Sequence, residues 1–288
     1  MILCSALLLF PVPGYADWTP LIERLIADRF DEQEIRMLFK NPGVRFDPEV
    51  MSSKLTALIN NRYRKPGDIV TRKRKRMYDR FLQPGVIEEA YAYAERNRDV
   101  LQRIAKDYCV PKEIVVSIVL VETELGRVLG KREAFNSLAS MALCSDLEVI
   151  RPYLSPGLIT SENETFARRR CRQKADWAYD ELKALIRYAS ERAMDPLGIP
   201  GSIYGAIGIC QFMPSKISTY GVDADQDGHI DVFSEHDALY SVASYLRAHG
   251  WKCRMSRKRQ YRVIMAYNPS HIYANTILSV AERLKRKG

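Results

Sequence analysis

The clearest pattern of apolar and polar positions lies in the segment from Pro111 to Gly126. Its apolar residues recur at the spacing of one helix face, so the segment predicts a helix, with Pro111 suited to its first turn and Gly126 to its end. The residues on this face are Ile114, Val115, Ile118, Val119 and Leu125. Glu122 shares the face because it follows Ile118 by four residues, whereas Glu124 turns about 200° away.

A carboxyl group on an apolar face resists ionisation, so its pKa rises. A carboxyl group that keeps its proton near neutral pH is what a general acid needs. The simpler explanation is a glutamate at the rim of a core helix, with its head group in water. The helix alone favours this simpler explanation for Glu122, and only other parts of the chain can change that.

Similar periodicities predict helices along most of the chain and few strands, which is typical of a mainly α protein. The predicted helices cover residues 21–30, 31–40, 48–60, 86–108, 135–143, 173–193, 237–249 and the chain from about 271 onward. Asp31 is expected to cap the second of them. Residues 144–171 and 252–259 break the pattern and predict loops.

The composition is that of an ordinary soluble globular protein of 288 residues, with 47% apolar and 27% charged residues. No apolar run after residue 12 approaches the roughly 20 residues of a membrane span. The net charge of +9 favours a polyanionic partner, which can be a nucleic acid, an anionic membrane surface or an acidic polymer. The basic cluster at residues 72–76 is more simply explained as a solvated helix face.

The first 16 residues form a short apolar run that ends in Gly14-Tyr15-Ala16. Gly14 and Ala16 are small residues at positions −3 and −1 of a cleavage site before Asp17, so we expect residues 1–16 to be a signal segment. The usual positive charge before the apolar run is missing, since the first basic residue is Arg24. The alternative is an apolar N-terminus that packs on the domain.

Six cysteines are present, and none form the CxxC pairs of a zinc site. In an oxidising compartment, Cys144 with Cys171 and Cys210 with Cys253 each bracket a segment and can form disulfides. Cys109 would then be a buried thiol. The sequence leaves this pairing open.

An acidic segment, residues 223–237, begins with Asp223, Asp225 and Asp227, followed by Gly228. Carboxylates at positions 1, 3 and 5 and glycine at position 6 match the calcium loop of an EF-hand. His229, at position 7, would contribute its backbone carbonyl. Position 12 is Ser234 in place of the usual glutamate, and Glu235 or Asp237 can supply the missing carboxylate. We expect this acidic loop to bind Ca²⁺ in a structural role.

A glycine-rich segment, residues 198–215, is not a phosphate-binding loop because no GK[ST] follows it. It offers the uncharged hydrogen-bonding groups of Ser202 and Gln211, which suit sugar hydroxyls and N-acetyl amides. Further along the chain, Tyr267, Asn268 and Tyr273 add aromatic rings and an amide. Each signal alone is weak, since tyrosines are common in protein cores.

Together, these motifs resemble those of lytic murein transglycosylases, most closely the membrane-bound lytic transglycosylase B family. The shared motifs are VETELG (121–126), DPLGIPGS (195–202), GAIGICQFMPS (205–215), DADQDGHIDVFSEHDA (223–238), SYLRAHGW (244–251) and YNPSHIYA (267–274). The resemblance implies a mainly α fold with a lysozyme-like catalytic core, an accessory helical region and a single EF-hand-like calcium loop. It also implies cleavage of the β-1,4 bond between N-acetylmuramic acid and N-acetylglucosamine, with formation of a 1,6-anhydro sugar.

By the same resemblance, Glu122 matches the single catalytic acid of the family. The positions that match its sugar groove are Ser202, Gln211, Tyr245, Tyr267, Asn268 and Tyr273. The positions that match its calcium ligands are Asp223, Asp225, Asp227, the carbonyl of His229, and Asp237.

The expected organisation is a signal segment at 1–16, an N-terminal helical region at 17–108, and a catalytic core at 109–288 that includes the calcium loop 223–237. We expect a periplasmic monomer that acts on the glycan strands of peptidoglycan and uses no organic cofactor. Membrane association through the N-terminus stays open. Peptidoglycan carries acidic stem peptides, so a net charge of +9 favours adsorption to it.

Ordinary glycosidases use two carboxylates, whereas this sequence offers one strong candidate. We therefore expect neutral Glu122 to protonate the glycosidic oxygen and then, as a carboxylate, to take the proton of the C6 hydroxyl as that oxygen closes on C1. The 2-acetamido carbonyl, or dipoles from Tyr267 and Asn268, would stabilise the oxocarbenium-like charge.

Three alternatives remain at the sequence level. A hydrolytic muramidase would use the same scaffold, and a non-catalytic peptidoglycan-binding protein would bind without cleaving. A nucleic-acid binder would use the basic clusters at 72–76 and 168–174, but it leaves Glu122 and the acidic loop unexplained.

Overall fold

The computed structural model describes residues 16–63 and 76–288, and helices dominate this part of the chain. Its α-helices are α1 (Thr19–Ala27), α2 (Glu32–Lys40), α3 (Pro48–Arg62), α4 (Pro84–Arg96), α5 (Arg98–Tyr108), α6 (Lys112–Thr123), α7 (Ala134–Leu143), α8 (Leu147–Ile150), α9 (Glu164–Glu191), α10 (Pro214–Tyr220), α11 (Glu235–Ala248), α12 (Arg257–Tyr267) and α13 (His271–Lys285). Two short strands, β1 (Arg132–Glu133) and β2 (Pro200–Gly201), pair antiparallel. The mainly helical fold predicted from the sequence is confirmed. Nearly all of the expected signal segment and of the 72–76 cluster lies outside the described residues.

The described residues group into two compact units. The first unit contains those in Met1–Tyr63 and Asn136–Lys183, and the second contains those in Arg64–Phe135 and Ala184–Gly288. The boundary expected after residue 108 falls inside the second unit, because α4 and α5 both pack against α6.

In the first unit, side chains of α7 bind the backbone of the segment between α2 and α3. The Arg45 N–H donates to Oδ1 of Asn136 at 3.1 Å, and Nδ2 of Asn136 donates to the Gly43 carbonyl at 2.9 Å. One turn later, Oγ of Ser140 accepts from the Asp47 N–H at 2.8 Å. These bonds satisfy backbone groups that no helix or strand would pair.

Helix α9 begins at Glu164, whereas the sequence predicted a loop up to residue 171 and a helix from 173. The prediction was wrong because the run of arginines concealed an apolar stripe. Ala167, Cys171 and Ala175 lie at helical spacing and are fully buried. On the outer side, Arg168 pairs with Glu164 at 2.7 Å and with Glu148 at 2.6 Å.

Residues 86–108, predicted as one helix, form α4 and α5 with a break at Asn97. The Asn97 side chain is buried, and its Nδ2 donates to the Tyr93 carbonyl at 3.2 Å and to Oε2 of Glu235 on α11 at 2.9 Å. An asparagine that bonds locally to the backbone competes with helix continuation, so the chain turns here.

Helix α6 is the central helix of the second unit and packs against α4, α5, α11 and α13. Every side chain from Ile114 to Leu120 is buried, so the helix is enclosed on all sides rather than on the single face that its periodicity predicted. Such burial explains its almost uninterrupted apolar sequence. Among the described residues, no helix is long and apolar enough to cross a membrane.

The predicted loop at 252–259 runs into a helix that the sequence analysis missed, α12. Its buried side chains, Val263 and Ile264, come after a dense basic stretch that has no apolar periodicity. Asp31, by contrast, caps α2 as expected, since its Oδ1 accepts from the Glu34 N–H at 2.8 Å.

Candidate active site

Glu122 lies in the last turn of α6, where the helix gives way to three residues with positive φ, Glu124, Leu125 and Gly126. The Thr123 side chain fixes this end: its Oγ1 donates to the Ile209 carbonyl at 3.0 Å and accepts from the Gly126 N–H at 3.1 Å. The end of α6 is therefore attached to the glycine-rich segment, and the position of Glu122 depends on that attachment.

Burial raises the pKa of Glu122 from 4.5 to about 7, and a hydrogen bond from Tyr273 limits the rise. The Tyr273 side chain is itself 3% exposed, and its hydroxyl has no hydrogen-bond partner of good geometry in the described part of the chain. Burial first, and the neighbouring Glu122 carboxylate next, raise the pKa of the Tyr273 phenol. Glu122 is thus a carboxyl group with the pKa of a general acid, beside a hydroxyl with unused hydrogen-bonding capacity.

The glycine-rich segment folds into tight turns around β2. The Ser202 hydroxyl accepts from the Ala206 N–H at 3.0 Å, and Ile207 forms isolated bridges to Gly201 and Phe212. Gln211 has positive φ, and its Nε2 donates to the carbonyls of Leu129 and Gly208 at 3.3 and 3.0 Å. These bonds orient the Gln211 amide, whereas the sequence analysis had assigned it only a sugar-binding role.

Three tyrosines and Phe212 form an aromatic cluster next to Glu122. Tyr267 donates from its hydroxyl to the Cys210 carbonyl at 2.5 Å, and Tyr245 donates to the Ala266 carbonyl at 2.8 Å. The ring centroids of Tyr245 and Tyr267 lie 4.9 Å apart. Those of Tyr267 and Tyr273 lie 6.4 Å apart, with the two rings nearly parallel. Burial first, then Cys210 and Glu122, raise the pKa of Tyr267, and burial and Glu122 raise the pKa of Tyr273, so both phenols lie within electrostatic reach of Glu122.

The predicted groove residues differ in exposure. Tyr245 is only 2% exposed, and its ring packs against Phe212 and Tyr220. It also stacks on His249, with the ring centroids 3.9 Å apart. Tyr245 therefore supports the aromatic cluster from its buried side. Tyr267 and Asn268, at the C-terminal end of α12, are partly exposed. Ser202 and Gln211, in the glycine-rich segment, are partly exposed as well.

Lys216 and His249 belong to the same site and were not found from the sequence. Nζ of Lys216 donates to the Tyr245 hydroxyl at 3.3 Å and lies 4.8 Å from the centre of its ring. Nδ1 of His249 lies 2.7 Å from the Tyr245 carbonyl. The only signal available in the sequence was the spacing of Tyr245 and His249, four residues apart on one helix, which places them on one face.

The acidic loop brings Asp223, Asp225 and Asp227 together, with one carboxylate oxygen of each within 4.8 Å of the others. Their oxygens accept backbone N–H bonds within the loop, including Gly228 to Asp223 at 3.0 Å. Three converging carboxylates fit a hard cation such as Ca²⁺, which prefers oxygen ligands.

Asp237, also predicted as a ligand, is buried and accepts from the N–H groups of Ala224 at 2.8 Å and Asp231 at 2.6 Å. It thereby connects both ends of the acidic loop to the start of α11. Burial first, and the nearby Asp225 and Asp223 carboxylates next, raise the pKa of Asp237. His229 is exposed on the loop, and its N–H donates to Asp227 at 2.8 Å.

A chain of hydrogen bonds joins the acidic loop to α6. The Ile209 N–H donates to the Val232 carbonyl at 2.8 Å, and the Ile209 carbonyl accepts from Thr123, next to Glu122. Gly208 makes this approach possible, because a Cβ there would lie 2.5 Å from the Val232 carbonyl oxygen. The loop therefore supports the end of the helix that carries Glu122.

The disulfide pairing differs from both candidates considered from the sequence. Cys109 is bonded to Cys253, so the proposed Cys210–Cys253 bridge is wrong, while Cys144, Cys171 and Cys210 are buried thiols. The Cys109 carbonyl also accepts from Nε1 of Trp251 at 2.9 Å. Both bonds hold the chain just before α6 against the segment that follows α11.

Comparison with known proteins identifies the family. The family described as "Transglycosylase SLT domain" matches residues 15–260. The membrane-bound lytic murein transglycosylase B of Escherichia coli is 34% identical over 172 residues, which are 60% of this chain and 40% of that protein. The aligned part thus spans less than half the length of the curated relative. The resemblance inferred from the motifs is confirmed.

Solved structures share the fold. The E. coli lytic transglycosylase Slt35, solved with bulgecin A and also with calcium, has TM-scores of 0.69 and 0.68 at 23% and 22% identity; each comparison covers 94% of this chain and 93% of that one. SltB3 of Pseudomonas aeruginosa, solved with NAG-anhNAM-pentapeptide, has a TM-score of 0.67 at 20% identity and covers 93% of this chain and 78% of that one.

Proposed function

The chain belongs to the transglycosylase SLT domain family, and we propose that it is a lytic transglycosylase of peptidoglycan. It would cleave the β-1,4 bond between N-acetylmuramic acid and N-acetylglucosamine and leave a 1,6-anhydro-N-acetylmuramic acid end. The observation that carries this proposal is the environment of Glu122. Burial raises the pKa of Glu122 to about 7, the value that a general acid needs, and Tyr273 lies beside it as a hydrogen-bond donor.

A single carboxyl group suffices if the substrate supplies the nucleophile. Glycosidases with two carboxylates hold them about 5 to 10 Å apart, and at that distance a second negative charge would raise the pKa of the first. We propose that neutral Glu122 donates its proton to the glycosidic oxygen as the bond to C1 of N-acetylmuramic acid breaks. The Glu122 carboxylate then accepts the proton of the C6 hydroxyl as the C6 oxygen bonds to C1, so no water is consumed.

The aromatic cluster supports this sequence of steps. The Tyr273 hydroxyl, which lowers the pKa of Glu122 by hydrogen bonding, can donate to the Glu122 carboxylate after the first proton transfer, and this stabilises the charged intermediate state of the enzyme. Partly exposed Asn268 and Tyr267 offer dipoles to the oxocarbenium-like centre. The fixed amide of Gln211 and the hydroxyl of Ser202 are assigned to sugar binding, with Tyr245 as the buried support of Tyr267.

We further propose that the acidic loop holds one Ca²⁺ ion through Asp223, Asp225 and Asp227, with the His229 carbonyl and Asp237 completing the site. The convergence of three carboxylates supports this, and so does the structure of Slt35 solved with calcium. The ion would neutralise the crowded negative charge and stiffen the loop. Its contribution to catalysis is indirect, through the contact of Val232 with Ile209.

The proposed location is the periplasm, with the glycan strands of peptidoglycan as partner and a monomer as the working form. SltB3, which has the same fold, was solved with a peptidoglycan fragment, NAG-anhNAM-pentapeptide. The net charge of +9 suits a partner with acidic stem peptides.

Digestion of purified sacculi followed by mass spectrometry of the soluble products tests the function. A lytic transglycosylase releases muropeptides with 1,6-anhydro ends. A hydrolytic muramidase releases the same fragments heavier by one water, and a binding protein adsorbs to sacculi without releasing soluble fragments. Either of the last two results contradicts the proposal.

A further inference from the structure

Lys216 carries a charge that has no acidic partner within the part of the chain that the structure describes. It lies on α10, and its side chain is partly buried. Nζ lies 4.8 Å from the centre of the Tyr245 ring and 5.9 Å from that of the Tyr220 ring, so the ammonium group lies against two aromatic rings instead of a carboxylate. The contact with Tyr245 therefore defines what Lys216 can do.

This contact sets the direction of two consecutive hydrogen bonds. Nζ of Lys216 lies 3.3 Å from the Tyr245 hydroxyl, which lies 2.8 Å from the Ala266 carbonyl oxygen. An ammonium group donates hydrogen bonds and cannot accept them, so the Tyr245 oxygen accepts from Lys216 and its single proton is committed to Ala266. Donation from a charged group also polarises the hydroxyl, which strengthens the second bond.

The Ala266 carbonyl is one of the last carbonyls of α12, which a helix cannot satisfy by its own hydrogen bonds. In a longer helix it would accept from the Ser270 N–H, but that N–H donates to the Asn268 carbonyl at 2.7 Å. The Tyr245 hydroxyl takes the place of the missing donor. It therefore fixes the end of α12, where the groove residues Tyr267 and Asn268 lie.

We propose that Lys216 is a positioning residue of the lytic reaction, which acts through Tyr245 to hold Tyr267 and Asn268 in place. The inference rests on the proposed function, in which these two groove residues offer dipoles to the oxocarbenium-like centre. A displacement of roughly 1 Å in such groups can lower a rate about a hundredfold, so a residue that only fixes their position matters for catalysis. The role requires no contact between Lys216 and the substrate.

Steady-state kinetics on soluble glycan strands test this role. Lys216→Gln should lower kcat about tenfold and change KM less than about twofold, because the amide can also accept a hydrogen bond and so releases the Tyr245 proton from Ala266. Lys216→Arg, which again only donates, should keep kcat within about threefold of the parent protein. Unchanged kcat in Lys216→Gln, or a rise in KM alone, overturns the proposal.

Lys258→Gln is the matched control for the change in net charge. Lys258 is exposed on α12 and has no partner among the described residues, so its replacement should leave kcat and KM at the values of the parent protein. A loss of kcat in Lys258→Gln equal to that in Lys216→Gln would assign the effect to net charge and contradict the proposal.

A double-mutant cycle shows whether Lys216 acts through Tyr245. Tyr245→Phe removes the hydroxyl that both hydrogen bonds share, so it should lower kcat by about as much as Lys216→Gln does. The variant with both substitutions should then be no slower than Tyr245→Phe alone. Additive losses, about a hundredfold in total, contradict the assignment, because Lys216 would then act by another route.

Hydrogen exchange separates this inference from the proposed function. Loss of the Lys216 bond should let the last turn of α12 open more often, so amides in a peptide that covers residues 264–270 should exchange about tenfold faster in Lys216→Gln than in the parent protein or Lys258→Gln. Equal exchange in the three proteins contradicts the positioning role. If the parent protein releases no anhydro product, the proposed function fails, while hydrogen exchange still decides whether Lys216 fixes the end of α12.

Discussion

Glu122 combines two properties that are usually in conflict, attachment to a buried apolar helix and the partial exposure that the proposed acid needs. The side chain extends from the last turn of α6, beyond the fully enclosed part, so only its carboxyl group reaches the tyrosine cluster. The apolar surroundings penalise the ionised form and set its pKa near 7, and Tyr273 partly opposes that effect. The reactivity of one residue thus follows from where the helix ends.

Replacing Tyr273 should change the pH dependence of activity. The acid form of Glu122 is the active one, so activity is expected to fall as pH rises through about 7. Tyr273→Phe removes the hydroxyl that lowers the pKa of Glu122, so the alkaline limb should move to higher pH, with a lower maximal kcat. The measurement is kcat against pH on sacculi.

Tyr245→Phe is the matched control, because its hydroxyl donates to the Ala266 carbonyl and has no role in the pKa of Glu122. It should lower stability by about 1 kcal/mol and leave the alkaline limb in place. A limb that moves in Tyr245→Phe but not in Tyr273→Phe would contradict the assignment of Tyr273.

At the level of elements, α6 is held at both of its ends. The Cys109–Cys253 disulfide fixes the chain before it, and Thr123 attaches its last turn to Ile209. Because the acidic loop reaches Ile209 through Val232, the proposed metal site and the helix that carries Glu122 share one backbone connection. The position of Glu122 therefore depends on elements that are distant in sequence.

Loss of the disulfide should destabilise the second unit. The bridge closes a span of 144 residues, and a native disulfide of this kind contributes about 2–5 kcal/mol. Cys253→Ala is expected to lower the melting temperature measured by circular dichroism. A reductant should lower the melting temperature of the parent protein and have no further effect on Cys253→Ala; an equal effect on both would show that the bridge is not the cause.

Calcium should stabilise the protein through the acidic loop. Added Ca²⁺ at about one hundred times its dissociation constant contributes about 2.7 kcal/mol, so the melting temperature should rise with Ca²⁺ and fall with a chelator. Asp225→Asn should weaken this response, whereas Asp99→Asn, an exposed residue on α5, should retain it. A melting temperature that does not respond to Ca²⁺ in the parent protein would refute the site.

The elements also show what the sequence could and could not reveal. Local signals were sufficient for α6, for the Asp31 cap and for the clustered aspartates, since each depends on residues close together in the chain. The break at Asn97 depends on a contact with Glu235, which is 138 residues away. The disulfide partner of Cys109 and the support of Tyr245 by Lys216 are likewise non-local, and no periodicity encodes them.

At the level of the whole molecule, the buried acid has a cost in stability. Glu122 has a pKa of 4.5 in an unfolded chain and about 7 in the folded protein, so the folded state retains a proton that the unfolded state loses. The protonated group is not penalised below pH 4.5, and the penalty reaches about 3 kcal/mol once pH exceeds 7. The protein should therefore be less stable at pH 8 than at pH 5 because of this one residue.

Glu122→Gln removes the titrating group and should remove that penalty. The difference in free energy of unfolding between the variant and the parent protein is expected to grow in favour of the variant as pH rises from 4.5 to 7. Urea unfolding at pH 5 and pH 8 measures it, with Glu124→Gln as control. A difference that is the same at both pH values would show that Glu122 ionises normally in the folded protein.

The central claim, that Glu122 alone performs the proton transfers of a lytic reaction, is tested most directly on purified sacculi. The measurement compares anhydro-muropeptide release, by mass spectrometry, from the parent protein, Glu122→Gln and Glu124→Gln, all confirmed as folded by circular dichroism. The expected result is release by the parent protein and Glu124→Gln and none by Glu122→Gln. Release of 1,6-anhydro products by folded Glu122→Gln at the rate of the parent protein would contradict the claim.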